Sequence, residues 1–363
     1  MALEESAGKS KTRRYRSESV TEVAMTAQRQ PVHVSVAGIP GSLSLPVTGL
    51  FEVLSAFPML RNLYEGVPET PPFDVEIVAC DKAQTTSPSG MTFSVQRAIS
   101  EIERTDIVIV PSMAGQEDWD WRTGQHREFV EWMVRMHERG AMLCSACSGV
   151  LVLAETGLLD GRRATIHWAF APAFRRNFPS VTLCVDEVLV VAGERDELVM
   201  SGATASWQDL VLYLITRLVS PTAAQAMAKF MLLDWHAEGQ APYVPFTGSP
   251  DHNDAVVRGL QEWLRTNYTV ARPVEEMARR AALSRRTFER RFKRATGYAP
   301  IDYVQRLRVE EARRRLERTD TAIDEIGWEV GYEDAAAFRR LFKRITHVTP
   351  GAYRRKFRMP ALS

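Results

Sequence analysis

One cysteine of the sequence lies in surroundings typical of a nucleophile. Residues 143–168 read LCSACSGVLVLAETGLLDGRRATIHW, which predicts a buried strand, a small turn that carries Cys147 and a short apolar helix. A tight strand-to-helix turn places backbone N–H groups behind the cysteine, and His167 follows farther along the chain. A thiol, an imidazole and backbone N–H groups are the parts of acyl-transfer chemistry. Cys147 is therefore a candidate nucleophile.

A second chemistry is suggested by Cys144 and Cys147, which form a C-x-x-C pair. A zinc site would need two further ligands at finger-like spacing, and the sequence supplies none. A redox pair of the thioredoxin type needs the motif at a helix N-terminus after a strand, which the pattern loosely satisfies. Cys144 falls inside the strand, where its side chain is expected to be buried. The sequence thus predicts no metal and no cofactor, and a thiol redox switch stays an alternative.

Alternating strands and helices must position these residues. From Val32 to about Thr222, short β-branched runs alternate with helix candidates such as LFEVLSAF and REFVEWMVRMHERG. The strand-like runs are VHVSVA (32–37), FDVEIVA (73–79), DIVIVP (106–111) and AMLCSA (141–146). This alternation predicts an α/β domain with a parallel sheet flanked by helices. Ligands of such folds bind outside the carboxyl ends of the strands, where VPSM (110–113) and SACSG (145–149) fall.

Length and composition limit the class of protein. A chain of 363 residues favours two domains, and its hydrophobic and charged fractions are those of ordinary globular proteins. No apolar run is long enough to span a membrane, and residues 1–30 lack the apolar core of a secretory signal, which predicts a disordered tail. The four cysteines form no disulfide framework, which favours a reducing, cytoplasmic location.

Charge and loop composition divide the rest of the chain. Residues 250–363 hold 25 Lys and Arg against 16 Asp and Glu, whereas the remainder holds 21 against 29. A basic C-terminal part on an acidic body suggests a polyanion-binding domain, with nucleic acid as the usual partner. Gly, Pro, Ser and Asp collect in HAEGQAPYVPFTGSPDHND, after a helical pattern over 203–233. We therefore expect domains over 31–222 and 251–358, joined by a segment over 223–250.

An internal repeat is the strongest signal in the C-terminal part. RRTFERRFKRATGYAPIDYV (285–304) aligns with DAAAFRRLFKRITHVTPGAYR (334–354) at a shift of 50 residues. The shared residues include two Phe, a Lys-Arg pair, a Thr, a Pro and a Tyr. Self-similarity at a fixed shift means that one supersecondary unit is used twice. Each unit is expected to form a short helix, a tight turn and a second helix.

The second helix of each unit combines an apolar face with a basic face. Phe288 with Phe292, and Phe338 with Phe342, are spaced to face the core. The residues that can bind DNA are Arg285, Arg286, Glu289, Arg290 and Lys293 in the first unit and Ala336, Arg339, Arg340 and Lys343 in the second. Arg can grip guanine through two hydrogen bonds, and a small apolar side chain can touch the thymine methyl. The pattern predicts an all-α domain of two helix-turn-helix units that bind double-stranded DNA; the alternative is an interaction module whose arginines only solubilise it.

The C-terminal part resembles the AraC/XylS-type DNA-binding domain over residues 254–357. The segment IGWEVGYEDAAAFRRLFKRITHVTPGAYRRKF is close to the signature of that family. The resemblance implies base contacts from Arg286, Glu289 and Arg290 in the first unit and from Ala336 and Arg340 in the second. It also implies that IDYVQRLRVEEARRRLER is a linker helix, which places two recognition helices in successive major grooves about 34 Å apart.

The N-terminal part resembles class I glutamine amidotransferase-like proteins of the PfpI type, in the GlxA-like form that is fused to an AraC-type domain. ACSGVLVLAETGLLDGRRATIHW, LSLPVTGLFEVLSAF and SGATASWQDLVLYL carry this resemblance. In enzymes of this superfamily, a histidine directly after the cysteine or an acid from the first helix assists the thiol. Here those places hold Ser148 and Pro46, so the base that would ionise Cys147 is missing.

The resemblance and this departure together predict a transcription regulator and not an enzyme. The N-terminal domain is expected to sense a small, nitrogenous metabolite through Met113, Cys147, Ser148, His167 and Trp168. A cysteine-dependent amide hydrolase or hydratase that carries a DNA-binding domain is the alternative function. A place in the core or in a subunit contact is the alternative role of His167 and Trp168. The expected partners are promoter DNA, the effector, RNA polymerase and a second copy of the chain through its N-terminal domain, at the nucleoid and away from membranes.

Overall fold

The computed structural model describes residues 30–114, 121–248 and 252–359. The tail predicted over 1–30 lies outside these residues except for Gln30, as does the predicted end of the connection at Pro250. An α/β domain comes first, as the alternating pattern predicts. Its strands are β1 (Val32–Ala37), β2 (Phe73–Ala79), β3 (Thr85–Thr86), β4 (Thr92–Phe93), β5 (Arg97–Ala98), β6 (Ile107–Val110), β7 (Met142–Ala146), β8 (Arg163–Ala164), β9 (Thr182–Leu183), β10 (Leu189–Ala192) and β11 (Leu198–Ser201).

The main sheet has the strand order β10-β11-β7-β6-β1-β2-β5 in the described part of the chain. Neighbouring strands of this sheet run parallel, apart from the antiparallel pair β10 and β11. Strands β6 and β7 lie side by side, with Val110 in register with Ser145. The carboxyl ends of these two strands therefore bring VPSM next to SACSG, as the sequence predicts.

Helices cover both faces of the sheet and enclose two apolar cores. They are α1 (Ser44–Ser55), α2 (Phe57–Leu60), α3 (Arg127–Glu138), α4 (Val150–Ala154), α5 (Ala171–Asn177), α6 (Trp207–Leu218) and α7 (Pro221–Met231). One core packs α3, α4 and α5 against the sheet, and the other packs α1, α6 and α7 against the opposite face. A sheet that is covered on both faces needs strands that are apolar along their length, which explains the continuous runs in the sequence.

An irregular segment follows the α/β core. The helical pattern over 203–233 forms α6 and α7 because Pro221 starts a new helix, whose N-cap Ser220 accepts from the N–H of Ala223 at 3.1 Å. Helix α7 buries Ala223 and Met227 against the sheet. The irregular part of the connection predicted over 223–250 therefore begins later, and residues 232–248 form it; we name them the strap.

The C-terminal part is helical, as the repeat predicts. Its helices are α8 (Ala255–Asn267), α9 (Pro273–Arg280), α10 (Arg285–Thr296), α11 (Pro300–Arg318), α12 (Ile323–Glu329), α13 (Ala335–Thr346) and α14 (Pro350–Phe357). Ser284 and Asp334 cap the N-termini of α10 and α13, and Gly297 and His347 end these helices in the left-handed conformation. Each helix packs into its own apolar core, and α11 belongs to both cores. Among the described residues, no helix is long and apolar enough to cross a membrane.

Candidate functional site

The elbow after β7 holds Cys147 in a strained conformation. The chain passes from β7 through the 3-10 turn Cys147–Gly149 into α4, and Cys147 has a φ of 53°, in the left-handed region. A Cβ on Gly149 would lie 2.4 Å from the carbonyl oxygens of Val110 and Pro111, so only glycine allows this close approach to the end of β6. The backbone geometry of a nucleophile elbow is therefore present.

Hydroxyl groups surround the Cys147 thiol. Its Sγ lies 3.4 Å from Oγ1 of Thr204, and the hydroxyls of Ser112 and Ser148 lie beside it. Burial raises the pKa of the Cys147 thiol, and the nearby polar groups, with the Thr204 hydroxyl first among them, offset only part of that rise. Among the described residues, no carboxylate or imidazole hydrogen-bonds to the thiol, and Pro46 is buried in α1. The environment therefore favours the protonated thiol.

Cys144 lies within β7 and is fully buried, as the sequence predicts. Both Cys144 and Cys147 are free thiols. Burial raises the pKa of the Cys144 thiol above its ordinary range. A thiol that is both protonated and inaccessible reacts slowly, which disfavours a redox pair at this position.

His167 caps a neighbouring turn. Its Nδ1 accepts from the N–H of Ala169 at 3.1 Å, at the start of the 3-10 turn Trp168–Phe170, and its ring packs against the rings of that turn. Burial lowers the pKa of His167, which favours the neutral imidazole. In the part of the chain that the structure describes, no hydrogen bond joins His167 to Cys147.

A cavity of about 720 Å³ lies beside the elbow, outside the carboxyl ends of the strands. Met113 and Ser148 line it. The Ser148 hydroxyl accepts from the N–H of Met113 at 2.8 Å and donates to its carbonyl at 2.6 Å, which fixes the two residues together. Cys147, His167 and Trp168 are not among the lining residues. The structure thus brings two of the five candidate ligand residues to this cavity.

Sequence reasoning missed the charged and aromatic lining of this cavity. That lining includes Asp81, Trp121, His126, Glu128 and Phe170. Trp121 stacks on His126, and its indole N–H donates to Glu155 at 2.8 Å. Asp81 follows the carboxyl end of β2, so the strand-end rule that selected VPSM could also have selected it. Thr204, which contacts Cys147, lies in the SGATAS segment and carried no comparable signal.

The recognition helices α10 and α13 present their predicted basic faces to solvent. All the predicted DNA contacts of α13 are exposed, as are those of α10 apart from the half-buried Glu289. The paired phenylalanines point the other way and are buried. The helical period therefore separates the core face from the basic face as the sequence predicts.

Ion pairs restrain some of these side chains and leave others unrestrained. Arg285 pairs with Glu275 at 3.1 Å and with Glu289 at 2.9 Å, and Arg339 pairs with Asp324 at 2.7 Å. Within the described residues, no ion pair is found for Arg286, Arg290, Lys293 and Lys343. The Glu289 carboxylate must break its ion pair with Arg285 before it can accept a hydrogen bond from the amino group of a cytosine. In the described part of the chain, Arg286 and Arg290 have no such ion pair to break before they donate hydrogen bonds to a guanine.

A groove of about 670 Å³ runs beside α10. The basic face of α10 lines it, together with Arg272, Glu275 and the start of α11. Arg272 and Glu275 belong to the preceding helix of the unit and its N-cap, and sequence reasoning did not select them. Their place beside α10 depends on how α9 packs, which the periodicity of a single helix does not show.

Comparison with known proteins supports both halves of this description. The DJ-1/PfpI family matches residues 50–215, and a helix-turn-helix domain family matches residues 277–356. The HTH-type transcriptional regulator GlxA of Rhizobium meliloti is 28% identical over 302 residues, which is 82% of this chain and 86% of that protein. The HTH-type transcriptional regulator CdhR of Pseudomonas aeruginosa is 28% identical over 270 residues, 74% of this chain and 77% of that protein.

Among solved structures, an AraC family transcriptional regulator from Pseudomonas putida is 17% identical and covers 55% of this chain and 100% of its own, with a TM-score of 0.45. The two family matches fall on the α/β domain and on the helical domain in turn. The chain therefore carries a DJ-1/PfpI family domain followed by an AraC-type helix-turn-helix domain, as its resemblance to GlxA-like regulators predicts.

Proposed function

We propose that the chain is a transcription regulator that binds promoter DNA through α10 and α13. The observation that carries this proposal is the pair of alike, N-capped helices, each with buried phenylalanines and an exposed basic face. Helices of this kind enter the major groove and read guanine through arginine. Helix α11 joins the cores of the two units, which supports their placement on one duplex.

Selection of bound sequences from a random duplex library tests this function. The full chain is expected to enrich a site whose two halves lie about one helical turn apart. Its affinity is expected to fall steeply with added salt, because the basic faces displace counterions from the phosphates. Enrichment of no sequence, or binding that salt does not weaken, contradicts the proposal.

The α/β domain is proposed to bind a small, positively charged nitrogenous effector in the cavity beside the elbow. The carboxylates of Asp81 and Glu128 and the ring of Trp121 attract an ammonium or quaternary amine. The guanidinium of Arg127 also lines the cavity, but it is paired with Glu131 at 2.9 Å. The lining therefore favours a cation over an anion.

Thermal unfolding of the full chain with small amines tests the effector site. Arginine, choline and glycine betaine are the probes, and a probe that binds only the folded chain raises Tm. The neutral shape analogue of choline, 3,3-dimethylbutanol, is expected to give a smaller shift. Asp81→Asn combined with Glu128→Gln should remove the amine shift, whereas Glu138→Gln on the exposed side of α3 should keep it. Equal shifts from choline and its neutral analogue would contradict a cation site.

Binding without catalysis is the proposed mode of this domain, because hydroxyl groups and not a base surround the Cys147 thiol. The strained elbow favours the alternative, an amide hydrolase or hydratase. Turnover of glutamine, simple amides or isocyanides that disappears in Cys147→Ala would establish that alternative. Modification of Cys144 by mild oxidants would establish a thiol redox switch.

Three further parts of the proposal rest on the resemblance to GlxA-like regulators. They are a homodimer formed through the α/β domain, contact with RNA polymerase, and a cytoplasmic location at the nucleoid. Sedimentation of the full chain tests the dimer. The contact with RNA polymerase is tested by measuring whether promoter DNA retains more polymerase when the chain is bound to that DNA.

A further inference from the structure

We propose that the strap couples the elbow region of the α/β domain to the linker helix α11 and to the recognition helix α13. The inference rests on the proposed function, because it assigns the route by which an effector in the α/β domain would alter DNA binding. Connecting segments usually run over the surface with few buried polar contacts. This strap is instead held to both domains by buried hydrogen bonds.

Gln240 fastens the strap to the α/β domain. Its side chain is 2% exposed, and its Nε2 donates to the carbonyls of Ile166 and Val185, both at 3.0 Å. A Cβ on Gly202 would lie 2.0 Å from this Nε2, so the amide packs directly against the bare glycine. Ile166 precedes His167 in the chain, and Gly202 lies two residues before Thr204. Gln240 therefore contacts two segments near the elbow: the one that leads to His167 and the one that leads to Thr204, which contacts Cys147.

His236 provides a second attachment to the α/β domain. Its backbone N–H donates to Oδ1 of Asp209 at 2.8 Å, and its Nδ1 lies 2.9 Å from Oδ2 of the same residue. Asp209 lies on α6 and is fully buried. A buried carboxylate without its partner is costly, so this pair fixes the start of the strap.

Arg313 of α11 fastens the strap to the helical domain. Its side chain is buried, with Nη2 donating to the carbonyl of Ala241 at 2.9 Å and Nη1 donating to the carbonyl of Val244. Ala241 is the neighbour of Gln240. The same short stretch of strap is thus bound from the α/β side through a side-chain amide and from the helical side through its carbonyls.

Glu238 brings the strap to the end of the second recognition helix. Its carbonyl lies 3.3 Å from Nδ1 of His347, the residue that ends α13, and its carboxylate lies 3.7 Å from Nζ of Lys356 on α14. Tyr243 adds an edge contact to Phe357, with 5.1 Å between ring centroids. Residues 236–244 therefore contact α6, α11, α14 and the C-cap of α13.

A shift in the α/β domain must disturb the helical domain, and the reverse, because the hydrogen bonds to the two domains come from adjacent strap residues, Gln240 and Ala241. Movement of the 165–167 segment would take the carbonyl of Ile166 from the buried Gln240 amide, and loss of such a buried hydrogen bond costs about 1–3 kcal/mol. Movement of the 202–204 segment would remove Gly202, against which the same amide packs. Movement of α11 would likewise take the Arg313 guanidinium away from the carbonyls of Ala241 and Val244, and would leave it the contact with Glu310 of the same helix. The two sets of bonds therefore favour one joint arrangement of the elbow surroundings, α11 and the end of α13 over mixed arrangements.

Hydrogen exchange of the full chain tests the coupling without an effector. Arg313→Met should speed amide exchange by about tenfold in peptides that cover 163–170 and 200–206, which Arg313 does not touch. The matched control is Arg308→Met, because Arg308 lies on the same helix and, among the described residues, its hydrogen bonds go to carbonyls of the helical domain, those of Tyr268, Val270 and Gly331. It should leave both peptides within about threefold of wild type. Unchanged exchange in Arg313→Met, or equal acceleration in both variants, overturns the proposal.

A second variant probes the route from the other side and covers a failure of Arg313→Met to fold. Gln240→Ala should speed exchange in α11 around Arg313, and no change there overturns the coupling. A random-sequence DNA duplex at low salt should slow exchange at 163–170 in wild type and not in Gln240→Ala; a DNA effect that persists in the variant counts against the strap. These exchange measurements use no effector. If no amine raises Tm in the thermal-unfolding test, the proposed class of effector is therefore wrong, but the outcome of the exchange measurements is unaffected.

Discussion

At the scale of single residues, Cys147 combines two features that point in different directions. Its backbone has the left-handed φ of a nucleophile elbow, whereas burial raises the pKa of its thiol and its contacts are hydroxyls. A thiol without a base is only slightly ionised near neutral pH. The residue therefore contributes shape and packing to the elbow beside the cavity, next to Ser148, which lines it.

Replacement of Cys147 should affect response and not folding. Cys147→Ala is expected to preserve the fold and the DNA affinity of the free chain, and to change only the effector concentration needed for response, because Cys147 adjoins Ser148, which lines the cavity. Circular dichroism and DNA titration with and without an amine that stabilises the chain measure these effects. A loss of DNA binding without effector would show that the thiol has a structural role.

Exposed arginines of the two recognition helices should carry base specificity: Arg290, for which no ion pair is found among the described residues, and Arg340, whose Nη2 lies 3.7 Å from Oδ2 of Asp334. Arg290→Ala and Arg340→Ala are each expected to weaken binding to the selected site by roughly 1–3 kcal/mol and to leave binding to random DNA nearly unchanged. Arg265→Ala, which removes an exposed arginine from α8, controls for charge alone. Equal losses on specific and random DNA would reassign Arg290 and Arg340 to phosphate contacts.

At the scale of elements, the elbow depends on the contact between Gly149 and the end of β6. Gly149→Ala should destabilise the α/β domain by about 1–3 kcal/mol, because the new Cβ overlaps two carbonyl oxygens. Gly259→Ala is the matched control: this glycine lies within α8 with open space around it, and alanine there should stabilise the helical domain by about 0.5–1 kcal/mol. Urea unfolding, followed separately for each domain, measures whether the free energy of unfolding falls in Gly149→Ala and rises in Gly259→Ala. A neutral Gly149→Ala would show that the turn can relax.

At the scale of the whole molecule, the strap forms part of the helical domain's core. Phe246 packs on Tyr298 and Tyr303, and the Tyr303 hydroxyl donates to the carbonyl of Gly248 at 3.2 Å. A fragment that starts at Glu238 should therefore be more stable in urea than one that starts at Ser249, by about 1–3 kcal/mol. Both fragments should fold and bind DNA with a strong salt dependence. Equal stability would contradict this role of the strap.

The His236–Asp209 pair makes stability depend on pH. The hydrogen bond to Asp209 raises the pKa of His236 above its ordinary value of 6.5, with Asp234 adding to the rise and Lys356 opposing it. The folded chain thus holds this proton more tightly than the unfolded chain. The stabilisation is full below about pH 6.5 and is lost as pH rises through the raised pKa.

His236→Gln should accordingly flatten the loss of stability above neutral pH. Unfolding free energies measured at several pH values in wild type and in His236→Gln check this slope. His252→Gln is the control, because His252 contacts the uncharged amide of Gln261 at 2.8 Å. A wild-type slope that survives in His236→Gln would assign the pH dependence to other groups.

Local sequence pattern determined much of the fold. The four strand-like runs form β1, β2, β6 and β7 with ends that differ by a residue at most, and the Phe spacing set the buried faces of α10 and α13. Strand and helix periods are short-range properties, so a few adjacent residues suffice to reveal them. The 50-residue repeat likewise showed two helix-turn-helix units without any knowledge of packing.

Only the tertiary structure decided which distant residues meet. Thr204 reaches Cys147 across 57 residues, and Arg313 reaches the carbonyl of Ala241 across 72. The cavity joins Asp81 to Glu128, while His167, the imidazole that follows Cys147 in the sequence, caps a turn of its own. Such contacts follow from how elements pack in three dimensions, and the period of a single strand or helix carries no information about them. The sequence by itself determined the α/β fold, the helical fold that follows it and the basic faces of α10 and α13, and packing decided the pocket lining and the contacts of the strap.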